Sequence, residues 1–219
     1  MRLLQCKNIL LIILVTMLLS FSGCANNNED KKVDTIYEEY RIIINEIYEC
    51  LQEDSKVHSD CSEFCSTGII ENKMSCDTLE KRMTAIAYSI TDINNDGTKE
   101  LIICDPNWSL PGNVRIIDMY TMVDDNVVKV ITGWSRNRYY LLDDGYIYNE
   151  GSSGAAYSFC ETLYFNANDG TLITQKLYFT YPKGENMNEG GYYYNENGEQ
   201  DPSISVEISG EEYRSFMET

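Results

Sequence analysis

The chain has 219 residues, 17 Lys and Arg against 35 Asp and Glu, and a formal net charge of −18. That length suffices for one domain with a sizeable core, and 24% charged with 43% hydrophobic residues excludes wholesale disorder. The acidity argues against nucleic-acid binding, which needs clustered Lys and Arg to neutralise phosphates, and a single imidazole, His58, excludes most His-dependent chemistry.

Met1–Gly23 has the pattern of an export signal. Arg2 and Lys7 give a positive start, and Ile9–Leu19 is apolar apart from Thr16. The run from Ile9 to Phe21 is short of the roughly 20 residues needed to span a bilayer. It ends in Ser20-Phe21-Ser22-Gly23-Cys24. Small residues before a Cys resemble the lipobox of bacterial lipoproteins, and the resemblance implies cleavage before Cys24 and acylation of its sulfur. The alternative is an ordinary secretory signal with an incidental Cys. Residues 24–32 are polar and without apolar periodicity, as in a flexible tether. Cleavage would remove Arg2 and Lys7 and no acid, so attraction to anionic lipid would not hold the product; acyl chains would have to. The expected location is the extracytoplasmic face of the cell membrane, with the lipid bilayer as partner through Cys24.

From residue 33 to 219 the pattern fits a single α+β domain. Val33–Glu53 is expected to be a long helix packed on a sheet, because Val33, Ile36, Tyr37, Tyr40, Ile43, Ile44, Ile47, Tyr48 and Leu51 recur every three or four residues. Residues 53–82 are polar and poorly periodic, with a short helix expected around Ser62–Cys65. Beyond Met83, β-prone runs are expected at Thr84–Thr91, Glu100–Cys104, Val114–Met122, Val127–Thr132, Arg138–Leu142, Tyr146–Asn149, Ala155–Phe165, Leu172–Thr180, Tyr192–Tyr194 and Ile204–Ile208. Asp124-Asp125-Asn126, Asp143-Asp144-Gly145, Asn168-Asp169-Gly170 and Asn197-Gly198 separate some of them and supply the positive φ angles of tight hairpins. The expected sheet is a mostly antiparallel meander, with a partial propeller or open barrel as the alternative. Ser209-Gly210-Glu211-Glu212 has the form of a capping box and predicts a short terminal helix.

Asp92-Ile93-Asn94-Asn95-Asp96-Gly97-Thr98-Lys99-Glu100 carries the most chemistry. Side-chain oxygens fall at its first, third, fifth and ninth places and Gly at its sixth. Calcium takes six to eight oxygens at about 2.3–2.6 Å, so Asp92, Asn94, Asp96 and Glu100 are candidate side-chain ligands, with the backbone carbonyl of Thr98 a fifth. An EF-hand requires Glu at the twelfth place, and Ile103 stands there. The run, with β-prone flanks, resembles the calcium loops of FG-GAP and VCBS-type repeats. The competing reading is an Asp/Asn-rich turn that binds nothing. Asn166-Ala167-Asn168-Asp169-Gly170 lacks the later acid and reads as a turn.

Apart from Cys6 and Cys24, the cysteines are Cys50, Cys61, Cys65, Cys76, Cys104 and Cys160. An even number in an exported chain suggests disulfides, with Cys50, Cys61, Cys65 and Cys76 the candidates. Buried thiols and a four-thiolate zinc site are the alternatives. The 17 tyrosines, concentrated in the sheet half, suit a pleated half-buried surface or, with Trp108 and Trp134, an aromatic recognition surface. No G-x-S-x-G, H-E-x-x-H or phosphate-cradling Gly-rich loop occurs. The anchor, the loop and the hairpins resemble surface lipoproteins of Gram-positive bacteria. The expectation is a membrane-anchored lipoprotein with a structural calcium loop that recognises an extracellular glycan or protein. A carboxylate-dependent extracellular hydrolase and a purely structural domain are the alternatives.

Overall fold

The structure is a computed structural model that describes residues 27–53, 64–110, 113–142, 145–154, 156–183 and 190–217. Cys24, His58 and Cys61 lie outside the described residues. The elements in chain order are α1 (Asn27–Gln52), α2 (Thr67–Ser75), α3 (Leu79–Thr84), β1 (Ala87–Thr91), β2 (Glu100–Leu110), β3 (Asn113–Val123), β4 (Asn126–Thr132), β5 (Asn137–Leu141), β6 (Tyr146–Gly154), β7 (Tyr157–Asn166), β8 (Thr171–Pro182), β9 (Gly190–Asn195), β10 (Val206–Ile208) and α4 (Gly210–Met217). No helix among the described residues is long and apolar enough to cross a membrane.

The 10 strands form one open antiparallel sheet in the order β1-β2-β3-β5-β6-β7-β8-β9-β10. A continuous sheet of this kind differs from the separate blades of a propeller. β4 stands off the path because β3 splits its free edge: Arg115 and Ile116 pair with β5, while Asp118–Val123 pair with β4. Asp124 and Asp125 turn the β3–β4 hairpin at φ 48° and 60°, the double left-handed geometry that matches strand twist.

Alternation along the strands divides the core. Leu101, Ile103, Ile117 and Tyr120 join Tyr40, Ile43, Ile47 and Leu51 of α1 in one cluster. Ile102, Cys104, Ile116 and Met119 join Ile131, Ile147, Leu163 and Phe165 in a second. Neighbouring residues of β2 therefore serve opposite faces, as a period of two requires.

The differences from the sequence reading are local; the strand expected at Ile204–Ile208 is a 3-10 turn at Pro202–Ile204 followed by β10 from Val206. Phe64–Ser66 is a turn and extended chain, and the helix starts at Thr67, where the Ser66 hydroxyl caps the Ile69 amide at 3.4 Å. Thr84 ends α3 instead of opening a strand. α1 also begins at Asn27, so its backbone takes in part of the stretch read as tether. At the C-terminus Ser209 and Glu212 form the capping box: Ser209 N–H donates to Glu212 Oε2 at 2.8 Å and Glu212 N–H donates to Ser209 Oγ at 3.1 Å.

α2 lies hard against the crossing from β4 to β5. A Cβ at Gly68 would stand 2.2 Å from the Gly133 carbonyl oxygen. Backbone cannot yield as a side-chain end does, so Gly68→Ala is expected to lower stability in urea unfolding by about 1–3 kcal/mol. Gly190→Ala, with nothing within 4 Å of the new methyl, is expected to stay within about 0.5 kcal/mol of the parent. Equal effects would refute the close approach.

Candidate functional site

The loop between β1 and β2 lies at one end of a hairpin, with Thr91 opposite Glu100 at its root. It is flanked by strands. Asp92 Oδ1 accepts from Asp96 N–H at 3.2 Å and Asp92 Oδ2 from Gly97 N–H at 2.9 Å. Asp96 Oδ1 accepts from Thr98 N–H at 2.7 Å, and Asn94 Nδ2 donates to Asp96 Oδ2 at 3.0 Å. Short polar side chains binding amides a few residues on are what hold such turns. Asn95 at φ 60° and Gly97 at φ +93° supply the left-handed steps.

Glu100 is different: its side chain is fully buried. Its Oε2 accepts from Ile93 N–H at 3.1 Å, which ties it across the loop, and its Oε1 accepts from the Thr121 hydroxyl of β3 at 3.1 Å. Burial first, then the charges of Asp96 and Asp92, push its carboxyl up to about 7, against the pull of those two hydrogen bonds. Ile93 inserts into the second core cluster, and Asn94 sits over Gly145, whose absent Cβ would fall 2.8 Å from that of Asn94. The Tyr40 hydroxyl of α1 donates to the Lys99 carbonyl at 2.8 Å. The loop is thereby fixed to the helix, to β3 and to the chain between β5 and β6.

Asp92, Asn94 and Asp96 are thus joined through shared hydrogen bonds, Glu100 lies beneath them, and Thr98 donates its amide at the loop's end. The oxygens are mostly turned to amides of the loop itself, and no group of three or more His, Cys, Asp or Glu placed to hold a metal ion occurs among the described residues. Among the cysteine candidates, Cys50, Cys65 and Cys76 carry thiols and form no disulfide. Cys50 and Cys65 instead pack with Ile70 in a small buried cluster, and Cys61 lies outside the described residues. The Cys160 thiol is also buried, which pushes it up to about 12, beside the Tyr148 and Tyr213 side chains; such a thiol is inert.

Sequence reasoning missed Asp118. It is fully buried on β3, with Lys129 Nζ 3.6 Å from its Oδ2 and the Tyr120 hydroxyl donating to Oδ2 at 3.4 Å. Burial pushes it up to about 6, opposed chiefly by Lys129. The signal was an acid set among Ile116, Ile117, Met119 and Tyr120.

Cavities lie elsewhere among the described residues. One of about 560 Å³ is apolar, between α1 residues such as Ile47 and Leu51 and the Met83–Tyr88 segment. The other, about 280 Å³, has a mixed lining that includes Arg136, Arg138, Glu150, Phe159 and Met217, and lies at the C-terminal helix. The first carries no acid in its lining and the second carries one.

Both buried acids hold protons more tightly folded than unfolded. Their burial favours the folded state below the ordinary carboxylate range, and that advantage is lost as pH rises towards 7. Without divalent cations, stability is therefore expected to fall between about pH 4 and 7, with Glu100 contributing up to roughly 2–3 kcal/mol. Glu100→Gln should flatten the limb nearest pH 7 and leave that near pH 6, read as urea midpoints across pH. An unchanged profile would refute the burial argument. Comparison with protein-family models, curated proteins and solved structures finds no match to this chain.

Proposed function

We propose that the chain is an exported lipoprotein, acylated at Cys24, whose folded part stands on the extracytoplasmic side of the membrane, is clasped by calcium at the 92–100 loop, and recognises an extracellular glycan or protein. α1 is then the arm between anchor and sheet. The observation that carries the calcium assignment is the placement of Glu100. A fully buried carboxylate lies under a loop whose Asp92 and Asp96 already raise its proton affinity. Like charges drawn together around one buried carboxyl favour a divalent guest, which would ionise Glu100 and relieve the repulsion.

The donor chemistry fits the ion. Asp92, Asp96 and Glu100 supply hard carboxylate oxygens, and an amide flip at Asn94 exchanges Nδ2 for Oδ1 at the point facing Asp96. The amides that now bind these oxygens are weak competitors for a cation. The affinity expected is that of extracellular calcium modules, on the order of 10⁻⁴–10⁻³ M. The ion stabilises; the protein's own chemistry of recognition lies elsewhere on its surface.

Two measurements test the proposal. Calcium at millimolar concentration should raise the melting temperature, and Asp96→Ala should abolish the rise while keeping the fold; a shift that survives Asp96→Ala would move the ion elsewhere. Labelled palmitate fed to expressing bacteria should appear on the chain and be absent from Cys24→Ser, which should be released from the membrane fraction. Label retained by Cys24→Ser would overturn the anchor.

A further inference from the structure

We infer that the mixed polar and aromatic crevice between the ends of β5–β7 and α4 binds a small monoanionic, hydroxylated ligand of single-sugar size, a uronate. The inference rests on the recognition reading for the extracellular setting of its ligand and on nothing in the calcium loop. The crevice measures about 280 Å³, just under the range of drug-sized ligand sites and so suited to a smaller molecule. Arg136, Arg138, Glu150, Ser158, Phe159 and Tyr213 line it.

Charge is the first argument. In a chain of net charge −18, with 17 basic residues in all, two guanidiniums stand two residues apart at one small opening. Arg138 NH2 lies 3.0 Å from Glu150 Oε1, and 32% of the Arg138 side chain stays exposed at the opening. Arg136 is exposed and makes no ion pair among the described residues. Two guanidiniums against one carboxylate leave a single positive charge, which one ligand carboxylate neutralises. A dianion would meet the repulsion of Glu150.

The walls give the rest of the ligand. Guanidinium and carboxylate match as a planar fork. Glu150 and the Ser158 hydroxyl offer acceptors to ligand hydroxyls, while Phe159 and Tyr213 present apolar ring surface to the C–H face of a sugar. The site is braced in advance. Ser135 N–H and Oγ donate to the two oxygens of Glu71 on α2, at 2.7 and 3.0 Å, and Ser152 N–H donates to the Arg136 carbonyl at 3.0 Å. Both Glu71 oxygens accept from Ser135, which holds the turn that carries Arg136.

The test is calorimetric titration of the full chain in detergent, at physiological ionic strength, with glucuronate, glucose and inorganic sulfate. Glucuronate should bind saturably and glucose at least about tenfold more weakly, and Arg136→Gln, a rim change, should lower glucuronate affinity about tenfold, the scale of one charge-assisted contact. Ser158→Ala should weaken glucuronate without making glucose its equal. Equal binding of glucose, indifference to Arg136→Gln, or displacement of glucuronate by equimolar sulfate would each overturn the inference. Asp96→Ala should leave glucuronate binding intact; loss there would put the ligand at the loop instead. If glucuronate fails to bind while calcium still raises the melting temperature, this inference falls and the anchored calcium-loop reading stands.

Discussion

The carboxylate of Glu100 is the constraint around which the first half of the domain is arranged. It sits at the root of the β1–β2 hairpin, fully buried, with one oxygen bound to the Ile93 amide and the other to the Thr121 hydroxyl. One residue before it, the Lys99 carbonyl receives the Tyr40 hydroxyl from α1. Helix, loop and β3 therefore meet within two residues of chain. Tyr40 is itself fully buried, and its hydroxyl is pushed up by burial and then by Glu100, so it remains a donor at any ordinary pH. A neutral Glu100 keeps this junction quiet; a charged one needs a positive neighbour, and none of the partners named here supplies it.

Tyrosine plays the corresponding part in the second half. Tyr140 and Tyr148 pair across β5 and β6 with centroids 6.1 Å apart, and Tyr178 and Tyr194 pair across β8 and β9 at 4.9 Å. Phe216 of α4 stacks on Tyr178 at 4.1 Å and reaches Tyr148 at 6.3 Å. The helix thus closes this row over Cys160, and those rings are packing surface. A face already covered by α4 has no rings to spare for a partner. What remains for recognition is the border of α4, where Tyr213 and Met217 reach the crevice of Arg136 and Arg138, together with exposed rings such as Tyr88, Tyr164 and Tyr181.

The hairpins were readable because their turns are written locally. Asp124-Asp125 and the glycines 97, 145, 170 and 198 all adopt positive φ, which their residue types announce. The capping box at Ser209 is equally local. The helix expected around Ser62–Cys65 was misplaced from α2 for the opposite reason. Gly68 is poor for a helix and is there because the Gly133 carbonyl lies where a Cβ would go, a demand set by chain 65 residues away. The division of β3 between β4 and β5 is likewise non-local, since nothing in Val114–Met122 tells which half meets which neighbour. The oxygen-bearing positions of the loop could be read by parity, but that Glu100 is buried while Asp96 is exposed depends on Thr121 and Tyr40. The crevice draws on β5, β6, β7 and α4, and no spacing rule connects Arg136 with Tyr213.

Acidity and the crevice belong to one electrostatic argument. A domain of this net charge, held at a bilayer as proposed, is repelled by anionic headgroups over about one Debye length, ~8 Å at physiological ionic strength. Repulsion of that range pushes the sheet outward while the anchor prevents escape. The same field opposes any acidic ligand until it comes within a few ångströms of Arg136, where the local charge outweighs the distant carboxylates because screening removes the latter first. Salt therefore acts on the two terms with opposite sign. It weakens the repulsive background over long distance and, more slowly, the short Arg–carboxylate contact. Affinity for an acidic sugar should accordingly pass through a shallow maximum in ionic strength instead of falling monotonically, as it would at an exposed basic patch.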